Sequence, residues 1–481
     1  MIKNKKMILF LWISIISFVY AYLPFLLKAN RFTWDSWIYF RLSRIFSQHL
    51  NFGTYASDLF STDFPFGYPL LISISHLLFG INFISAPIMN SAIAILSAVI
   101  VFKIVSHALP NSKITLPIQI LSSTSFLLSP FFLEEVYSGR SIPLALFMIV
   151  SSYYILIQYR SIHSAILAGL LIGASAIVRF DLLLGGLIIL NTIFIFAVDK
   201  ENNKFNYRRY FATNFGFLIG ALPWILFSLC FTGSFFASKN SIVPISSIPI
   251  SFTHFNDFHA MKIHTIFSNP LDWVAKVIFN LPAFSKSMLI ALLCQPLFIV
   301  LVFYNIYNKT KHNLTPCIFI LLTLTPHLAS GFFDQRYFTF YFIICTLILI
   351  KTLNKDSIGH DKYHKAIPKL LGGLFLIFIS IFSIYYLKYL RPNLDKNIVS
   401  DMLPSITRVA SCHKNEQNMT YIFLPSSDVN DAVYAGITDF KVGFPVGYSS
   451  WPENEKVLFL KTVYPYRIIN KVDSNFQCPQ N

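Results

Sequence analysis

Residues 83–106 read FISAPIMNSAIAILSAVIVFKIVS, and Lys103 is the one charged side chain in this run. A helix needs about 20 mostly apolar residues to cross the hydrocarbon of a bilayer, so the run predicts a transmembrane helix. The rest of the 481-residue chain is similar, because 55% of its residues are hydrophobic and 12% are charged. Soluble domains carry about twice that fraction of charge. The sequence therefore predicts an all-α polytopic membrane protein.

The net charge of the chain is +16, from 38 basic and 22 acidic residues. In a soluble protein this balance would suggest nucleic acid as a partner. Here the basic residues fall largely in short gaps between apolar runs, which is typical of cytoplasmic loops in membrane proteins. Nucleic-acid binding is excluded on this ground.

Apolar runs predict about eleven transmembrane helices. They lie at 7–27, 83–106, 114–132, 141–159, 164–178, 181–198, 210–232, 276–306, 314–331, 337–351 and 369–390. Placing the basic clusters near 200–209, 309–311 and 351–369 in the cytoplasm leaves the C-terminus outside. The apolar stretch 68–80 is too short to cross comfortably, so it is interpreted as an interfacial or re-entrant helix.

Three larger segments then lie outside: loops 28–67 and 233–275, and the tail 391–481. We divide the chain into a transmembrane domain, 1–390, and a small extracytoplasmic α/β domain, 391–481, where strand-like stretches such as 420–424 alternate with turn residues. The tail contains Cys412 and Cys478. In an oxidising compartment these can form a disulfide, and two unpaired thiols are the alternative.

The first outer loop contains Asp35 within RFTWDSWIYFRLSRIF, residues 31–46. Apolar positions recur there at helical spacing and predict an interfacial helix with its apolar side toward lipid and Tyr39 at headgroup level. Asp35 has two compatible interpretations. It is either a general base at the membrane surface or the N-cap of a helix that begins at Ser36.

Other ionisable groups also gather on the predicted outer side. Such groups are costly to keep in or near a membrane, so their presence points to a function. Asp63 suits a turn before Pro65, or it orients a sugar hydroxyl. Glu134 and Glu135, followed by Arg140, form either a solvated turn or a carboxylate pair at the mouth of the bundle, of which at most one faces a cavity.

Two arginines lie on the same predicted side, each beside an aspartate. Arg179 precedes Asp181, and Arg336 follows Asp334. Each pair is either a local ion pair or a cation offered to a lipid phosphate, for which the planar guanidinium is well shaped. The sequence lacks a P-loop, a Cys-x-x-Cys pair, a His-Glu-x-x-His motif and a Gly-x-Ser-x-Gly elbow, so neither a metal nor a cofactor is predicted.

Several stretches, in order, resemble the GT-C superfamily of integral-membrane glycosyltransferases, which includes protein O-mannosyltransferases, aminoarabinose transferases of lipid A and arabinofuranosyltransferases. They are WDSWIYFRLSRIFSQHLNFGTY (34–55), FPFGYPLLISISHLLFG (64–80), LLSPFFLEEVYSGRSIPLALFM (127–148), GLLIGASAIVRFDLLL (169–184) and GALPWILFSLCFTGSFF (220–236). The tail resembles no family.

The resemblance implies a bundle of GT-C type that moves a sugar from a polyprenyl-phosphate carrier to an acceptor, with inversion, at the extracytoplasmic face. It implies that Asp35 is the general base. Many members carry a second acid next to this base, and some of those bind a metal. Ser36 stands there in this chain, which argues for metal-independent chemistry and leaves Glu134 or Glu135 as the substitute acid. The candidates for substrate binding are Arg179, Arg336, Tyr39, Asp63 and Arg140.

Two other functions stay open. A flippase for polyprenyl-linked sugars shares the many helices and the outer arginines, but it needs polar access from both faces. An outer-leaflet polysaccharide polymerase or ligase would depend on a large, basic late loop. The acceptor can be a glycan, a lipid or a protein, and the chain size favours a bacterial inner membrane with the site facing the periplasm.

Overall fold

The computed structural model describes residues 12, 14, 34–49, 52–56, 64–80, 85–109, 115–197, 205–232, 270–307, 314–330, 334–352, 421–423 and 467–469. The predicted crossings at 7–27 and 369–390 lie outside these residues, except for Trp12 and Ser14. Asp63, Cys412 and Cys478 lie outside them as well, and so does nearly all of the predicted outer loop 233–275.

Helices make up most of the described chain. They are α1 (Trp34–His49), α2 (Phe52–Ala56), α3 (Gly67–Phe79), α4 (Ser85–Ala108), α5 (Thr115–Leu127), α6 (Pro130–Tyr137), α7 (Ile142–Gln158), α8 (Ile162–Val178), α9 (Leu182–Thr192, continued by a π-helical turn, Ile193–Ala197), α10 (Tyr207–Thr232), α11 (Pro270–Leu293), α12 (Pro296–Tyr307), α13 (Thr315–Leu322), α14 (Thr325–Ser330) and α15 (Gln335–Thr352). In the tail, β1 (Tyr421–Phe423) pairs in parallel with β2 (Arg467–Ile469).

Three of the described helices, α4, α10 and α11, are long and apolar enough to cross a membrane. The pair α5 and α6 adds a fourth candidate, bent by 56° at its break, and seven further apolar helical segments are shorter. Large apolar side chains cover the outer surface, including Leu77, Leu78, Phe211, Phe215 and Phe279. The chain is a helical multi-pass membrane protein, and the count of eleven crossings stays a prediction.

Three predicted crossings are broken in the structure. The run 314–331 divides into α13 and α14, and two others break directly before a proline. The run 276–306 was expected as one helix, but it stops after Leu293 and restarts at Pro296. The run 114–132 breaks before Pro130. Proline has no N–H for the helical ladder, and it disfavours the helical conformation of the residue before it. The latter two breaks therefore follow from the position of a proline inside an apolar run.

Helices α8 and α10 approach each other through four glycines. A Cβ added at Gly169, Gly173, Gly216 or Gly220 would lie between 1.9 and 2.2 Å from a backbone carbonyl oxygen of the opposite helix. Each helix thus carries two glycines four residues apart, the small-residue pattern that lets transmembrane helices pack backbone against backbone. This contact fixes α8, whose C-terminal end leads into Arg179.

The apolar side of α1 faces the protein interior, and the prediction that it faces lipid is wrong. Ile38, Leu42 and Phe46 are buried. They form one cluster with aromatic side chains of α2, α10 and the residue before α3, namely Tyr55, Phe66, Trp224 and Phe227. Helical spacing gives an apolar face but does not say whether protein or lipid covers it.

A buried histidine ties α1 to the short helix α3 and to α4. His76 Nε2 lies 2.9 Å from Ser43 Oγ, and Nδ1 lies 3.0 Å from Ser85 Oγ. Ser43 Oγ also donates to the carbonyl of Phe40 at 2.7 Å, so His76, Ser43 and Ser85 form one hydrogen-bonded chain that ends on the backbone of α1. With 13 residues, α3 is too short to cross on its own, in line with the predicted interfacial or re-entrant helix.

The described part of the tail is the two-stranded pair. Strand β1 falls inside the stretch 420–424 that the sequence predicts as a strand. Six tail residues are described in all, so the α/β domain at 391–481 stays a prediction.

We expect Gly173→Ala to destabilise the fold by about 1–3 kcal/mol, the usual effect of overpacking a tight core. The new Cβ would lie 2.1 Å from the carbonyl oxygen of Phe217, and backbone cannot move aside as a side chain can. Thermal unfolding in detergent measures the effect. Gly185→Ala is the control, because its nearest neighbour is the hydroxyl of Tyr341 at 3.3 Å. Equal losses in the two variants would contradict the close helix contact.

Candidate active site

Charged side chains from separate elements meet at one end of the helical bundle. The charged cluster, as we call it, contains these described residues: Asp35, Glu134, Glu135, Arg140, Arg179, Asp181, Asp334 and Arg336. They come from the first turn of α1, the end of α6, the turns α6–α7 and α8–α9, and the start of α15. Candidates that the sequence spreads over three hundred positions thus lie together in space.

Arg336 contacts carboxylates from three elements. Its Nη2 lies 2.8 Å from Asp35 Oδ2, and its Nη1 lies 3.3 Å from Glu135 Oε1. Its Nε lies 2.9 Å from Asp334 Oδ2. The expectation that Arg336 could be balanced by Asp334 alone is therefore incomplete. Arg336 joins α1, α6 and α15 at one point.

Asp35 lies in the first turn of α1, because the helix begins at Trp34 and not at Ser36. The N-cap interpretation is therefore wrong for this residue.

Burial raises the pKa of the Asp35 carboxyl, but the positive charges of Arg336 and Arg140 outweigh that effect and hold the pKa below its ordinary value of 3.8. The carboxyl is ionised at neutral pH, which is the state that a proton acceptor requires.

Glu134 and Glu135 lie near the end of α6, where Glu135 is buried and Glu134 is partly exposed, so the solvated-turn interpretation is wrong for Glu135. Glu134 Oε1 lies 3.1 Å from Arg140 Nη2, and Glu135 Oε1 lies 2.9 Å from Arg140 Nε. Both carboxylates reach Arg140 because Arg140 follows the end of α6, and its side chain does not have to lie on one face of that helix. Gly139, at φ +66°, makes the turn possible, and a Cβ there would lie 2.9 Å from Ala86.

Arg179 is held by a second, separate carboxylate. Its Nε and Nη2 lie 3.1 and 3.0 Å from the two oxygens of Asp181, a bidentate pair within the α8–α9 turn. His327, on α14, adds a longer contact, 3.9 Å from Asp181 Oδ2. Burial raises the pKa of Asp181, but the neighbouring Arg179 outweighs it, so the pKa lies below its ordinary value.

One aromatic ring, that of Tyr337, connects the two arginines. The Cζ atoms of Arg179 and Arg336 lie 4.9 and 5.1 Å from its centroid, within range of a cation–π contact. The ring also stacks on His327 at 4.6 Å. Tyr337 was not among the residues predicted from the sequence, although an aromatic residue directly after Arg336 was a usable signal.

Tyr39 lies one helical turn after Asp35 on α1, and it is buried, so the prediction that it sits at headgroup level is wrong. Its hydroxyl donates to Ser141 Oγ at 2.8 Å, which joins α1 to the start of α7. Its ring packs edge-on against Tyr68 at 4.8 Å. Tyr39 thereby fixes the helix that carries Asp35.

Within the described part of the chain, no group of three His, Cys, Asp or Glu side chains is arranged to hold a metal ion. The prediction that the chemistry is metal-independent stays a prediction.

In fold, the helical bundle is similar to two solved structures. The structure is similar to that of ArnT from Cupriavidus metallidurans bound to undecaprenyl phosphate, with a TM-score of 0.59 and 10% sequence identity, over 97% of this chain and 90% of that one. ArnT from the same organism in the apo state gives a TM-score of 0.55 and 11% identity, over 98% and 90%. In sequence, no protein-family model and no curated protein matches the chain.

We expect Asp181→Asn to destabilise the protein by about 3 kcal/mol at pH 7, because it leaves a buried arginine beside a neutral partner. The pKa of Asp181 is lowered by folding, so its stabilisation is present above the ordinary pKa and is lost as the pH falls through the folded value. The difference in melting temperature between wild type and variant should be full at pH 7 and shrink below about pH 4.

Thermal unfolding in detergent at several pH values checks this expectation. Asp272→Asn, the same substitution at an exposed position of α11, is the control and should change little. A difference that is the same at pH 7 and at pH 3 would contradict the role of ionised Asp181.

Proposed function

We propose that this protein is a glycosyltransferase that moves a sugar from a polyprenyl-phosphate carrier to an acceptor at the extracytoplasmic membrane face. The observation that carries the proposal is the 2.8 Å contact between Asp35 and Arg336. It places a candidate proton acceptor beside a candidate phosphate ligand in one buried cluster. The likeness in fold to a protein crystallised with undecaprenyl phosphate supports the same substrate class.

The proposed reaction is a single displacement at the anomeric carbon. Asp35 takes the proton from the acceptor hydroxyl as the acceptor oxygen forms its bond to that carbon. The bond from the same carbon to the phosphate oxygen breaks, and the polyprenyl phosphate leaves with the electron pair. Arg336 and Arg179 stabilise the charge that develops on the phosphate, which is worth more in a buried site than in water. Attack from the opposite face inverts the anomeric centre.

The remaining candidates receive supporting roles in this proposal. Arg140 contributes a third positive charge toward the donor phosphate, and Tyr39 lines the site beside Asp35. Glu134 or Glu135 acts as the second acid near the sugar. We place no metal in the scheme, since the neighbour of Asp35 is Ser36. Asp63 keeps its proposed contact to a sugar hydroxyl.

We further propose that the charged cluster faces the periplasm of a bacterial inner membrane. Helix α9 with its π-helical turn starts beside Asp181 and runs through 16 residues, about 24 Å at 1.5 Å per residue. Residue 205 therefore lies at the end of the bundle opposite to the cluster. The basic residues Arg208 and Arg209, near that end, favour the cytoplasm.

A topology reporter tests the orientation. A reporter enzyme that is active only outside the cytoplasm should be inactive when fused after residue 205 and active when fused after residue 400. Activity after residue 205 would place the cluster in the cytoplasm and would remove the proposed sidedness.

The two alternatives fit the site less well. A flippase needs polar access from both ends of the bundle. Near the opposite end, Arg209 is bonded to the carbonyls of Leu156 and Tyr159, at 3.1 and 2.7 Å. Arg209 thus binds carbonyls at the C-terminal end of α7, whereas the arginines of the charged cluster bind carboxylates. A polymerase or ligase would depend on the loop 233–275, most of which lies outside the described residues.

Purified protein tests the activity. With a labelled polyprenyl-phosphate sugar and a mixture of acceptors, wild type should release polyprenyl phosphate only when an acceptor is present. Asp35→Asn should lower the rate at least 100-fold, the typical contribution of a general base. Asp272→Asn is the control and should keep the wild-type rate.

Full turnover in Asp35→Asn would remove the base assignment. Movement of the intact sugar–phosphate lipid between leaflets of a proteoliposome, without bond cleavage, would favour the flippase.

A further inference from the structure

The three carboxylates on Arg336 differ in how firmly they are held. The Glu135 side chain is 1% exposed, the Asp35 side chain 28% and the Asp334 side chain 44%. A ligand that approaches from outside can replace the exposed partners, but it cannot reach the buried one.

We propose that Arg336 exchanges partners when the donor binds: the donor phosphate replaces Asp35, while Glu135 keeps the guanidinium in place. Glu135 is then a positioning residue, which leaves Glu134 as the second acid near the sugar. The Asp35–Arg336 pair masks the base until the donor arrives. The inference rests on the proposed function, since it is the donor phosphate that replaces Asp35.

Glu135 has the contacts that a permanent anchor needs. Its Oε1 is shared between Arg140 Nε at 2.9 Å and Arg336 Nη1 at 3.3 Å, so one oxygen orients two guanidinium groups. Asn90 Nδ2 donates to the backbone carbonyl of Glu135 at 3.3 Å and to the backbone carbonyl of Arg140 at 2.8 Å. These bonds tie the segment from Glu135 to Arg140 to α4. The cost of leaving a buried charge unpaired keeps this carboxylate with its arginines.

Asp35 has the contacts that an exchangeable partner needs. It meets Arg336 through the Nη2 atom, while Nη1 faces Glu135. Nη2 is also within 3.3 Å of the hydroxyl of Tyr337, which gives this nitrogen a second acceptor during the exchange. Phosphate oxygens bind guanidinium N–H groups in the same geometry as a carboxylate, so the donor competes for the position that Asp35 occupies.

The exchange links donor binding to catalysis. While Asp35 is paired with Arg336, its oxygen is occupied and its basicity is low. Once the phosphate takes Arg336, the carboxylate is free to accept the proton of an incoming hydroxyl. The donor therefore binds productively before the acceptor, and a bound acceptor is not activated in the absence of donor.

Binding of polyprenyl phosphate without a sugar, measured in nanodiscs, tests the exchange. Asp35→Asn removes the competitor and should lower Kd about tenfold, close to the lower end of the coupling energies measured for close charge pairs. Glu135→Gln removes the anchor and should raise Kd about tenfold. The two substitutions make the same change of charge next to the same guanidinium, yet the expected effects have opposite sign.

Two further substitutions separate the exchange from simple repulsion. Asp334→Asn also removes a charge from Arg336, but at an exposed position where solvent screens it, and should change Kd less than twofold. In an Arg336→Gln background, Asp35→Asn should lose most of its effect, because the two groups then no longer share a partner. Arg336→Met also removes the charge, keeps most of the length of the side chain, and serves where the glutamine variant does not fold.

Kinetics give an independent readout. Asp35→Asn should lower both kcat and the KM for donor, while Glu135→Gln should mainly raise the KM for donor. A Kd that falls in Glu135→Gln would overturn the anchor. An undiminished effect of Asp35→Asn in the Arg336→Gln background would overturn the exchange. If wild type does not bind polyprenyl phosphate at all, the proposed function itself fails.

Discussion

The structure depends on keeping three guanidinium groups inside an apolar bundle. An arginine taken out of water costs several kcal/mol unless carboxylates and hydrogen bonds replace the lost hydration. Each arginine of the charged cluster meets that demand with a carboxylate, and the partners of Arg336 come from α1, α6 and the residue before α15. The ion pairs therefore join elements that are distant in sequence, and the helices around them cannot shift independently.

Apolar packing fixes the helices that carry the charged cluster. The glycine contact between α8 and α10 fixes the helix that leads to Arg179, and the aromatic cluster under α1 fixes the helix that bears Asp35. Side chains that act together on one substrate must lie within a few ångströms of each other. Rigid helices with backbone contact provide that precision better than loops.

Part of the site could be predicted from the sequence, for a physical reason. Ionisable residues are rare in apolar runs, so Asp35, Arg179 and Arg336 stood out, and charge bias in the loops assigned them to one side. The local roles were harder to predict. Spacing gave α1 an apolar face but could not show that protein covers it, so the predicted lipid contact of that face and the predicted headgroup-level position of Tyr39 were wrong. The sequence left Glu134 and Glu135 open between a solvated turn and a carboxylate at a cavity, because the contacts that bury Glu135 come from α4 and α15, which are distant in sequence.

The sequence by itself determined the helical class, the likeness to GT-C transferases and the choice of candidate residues. These follow from hydropathy, charge bias and local motifs, which short stretches of chain encode. Only the tertiary structure decided that Asp35 and Arg336 lie in contact, that Glu135 is the buried partner of two arginines, and that Tyr337 connects Arg336 to Arg179. Pairing of charges is a property of three-dimensional packing, because helices separated by hundreds of residues must first be placed side by side.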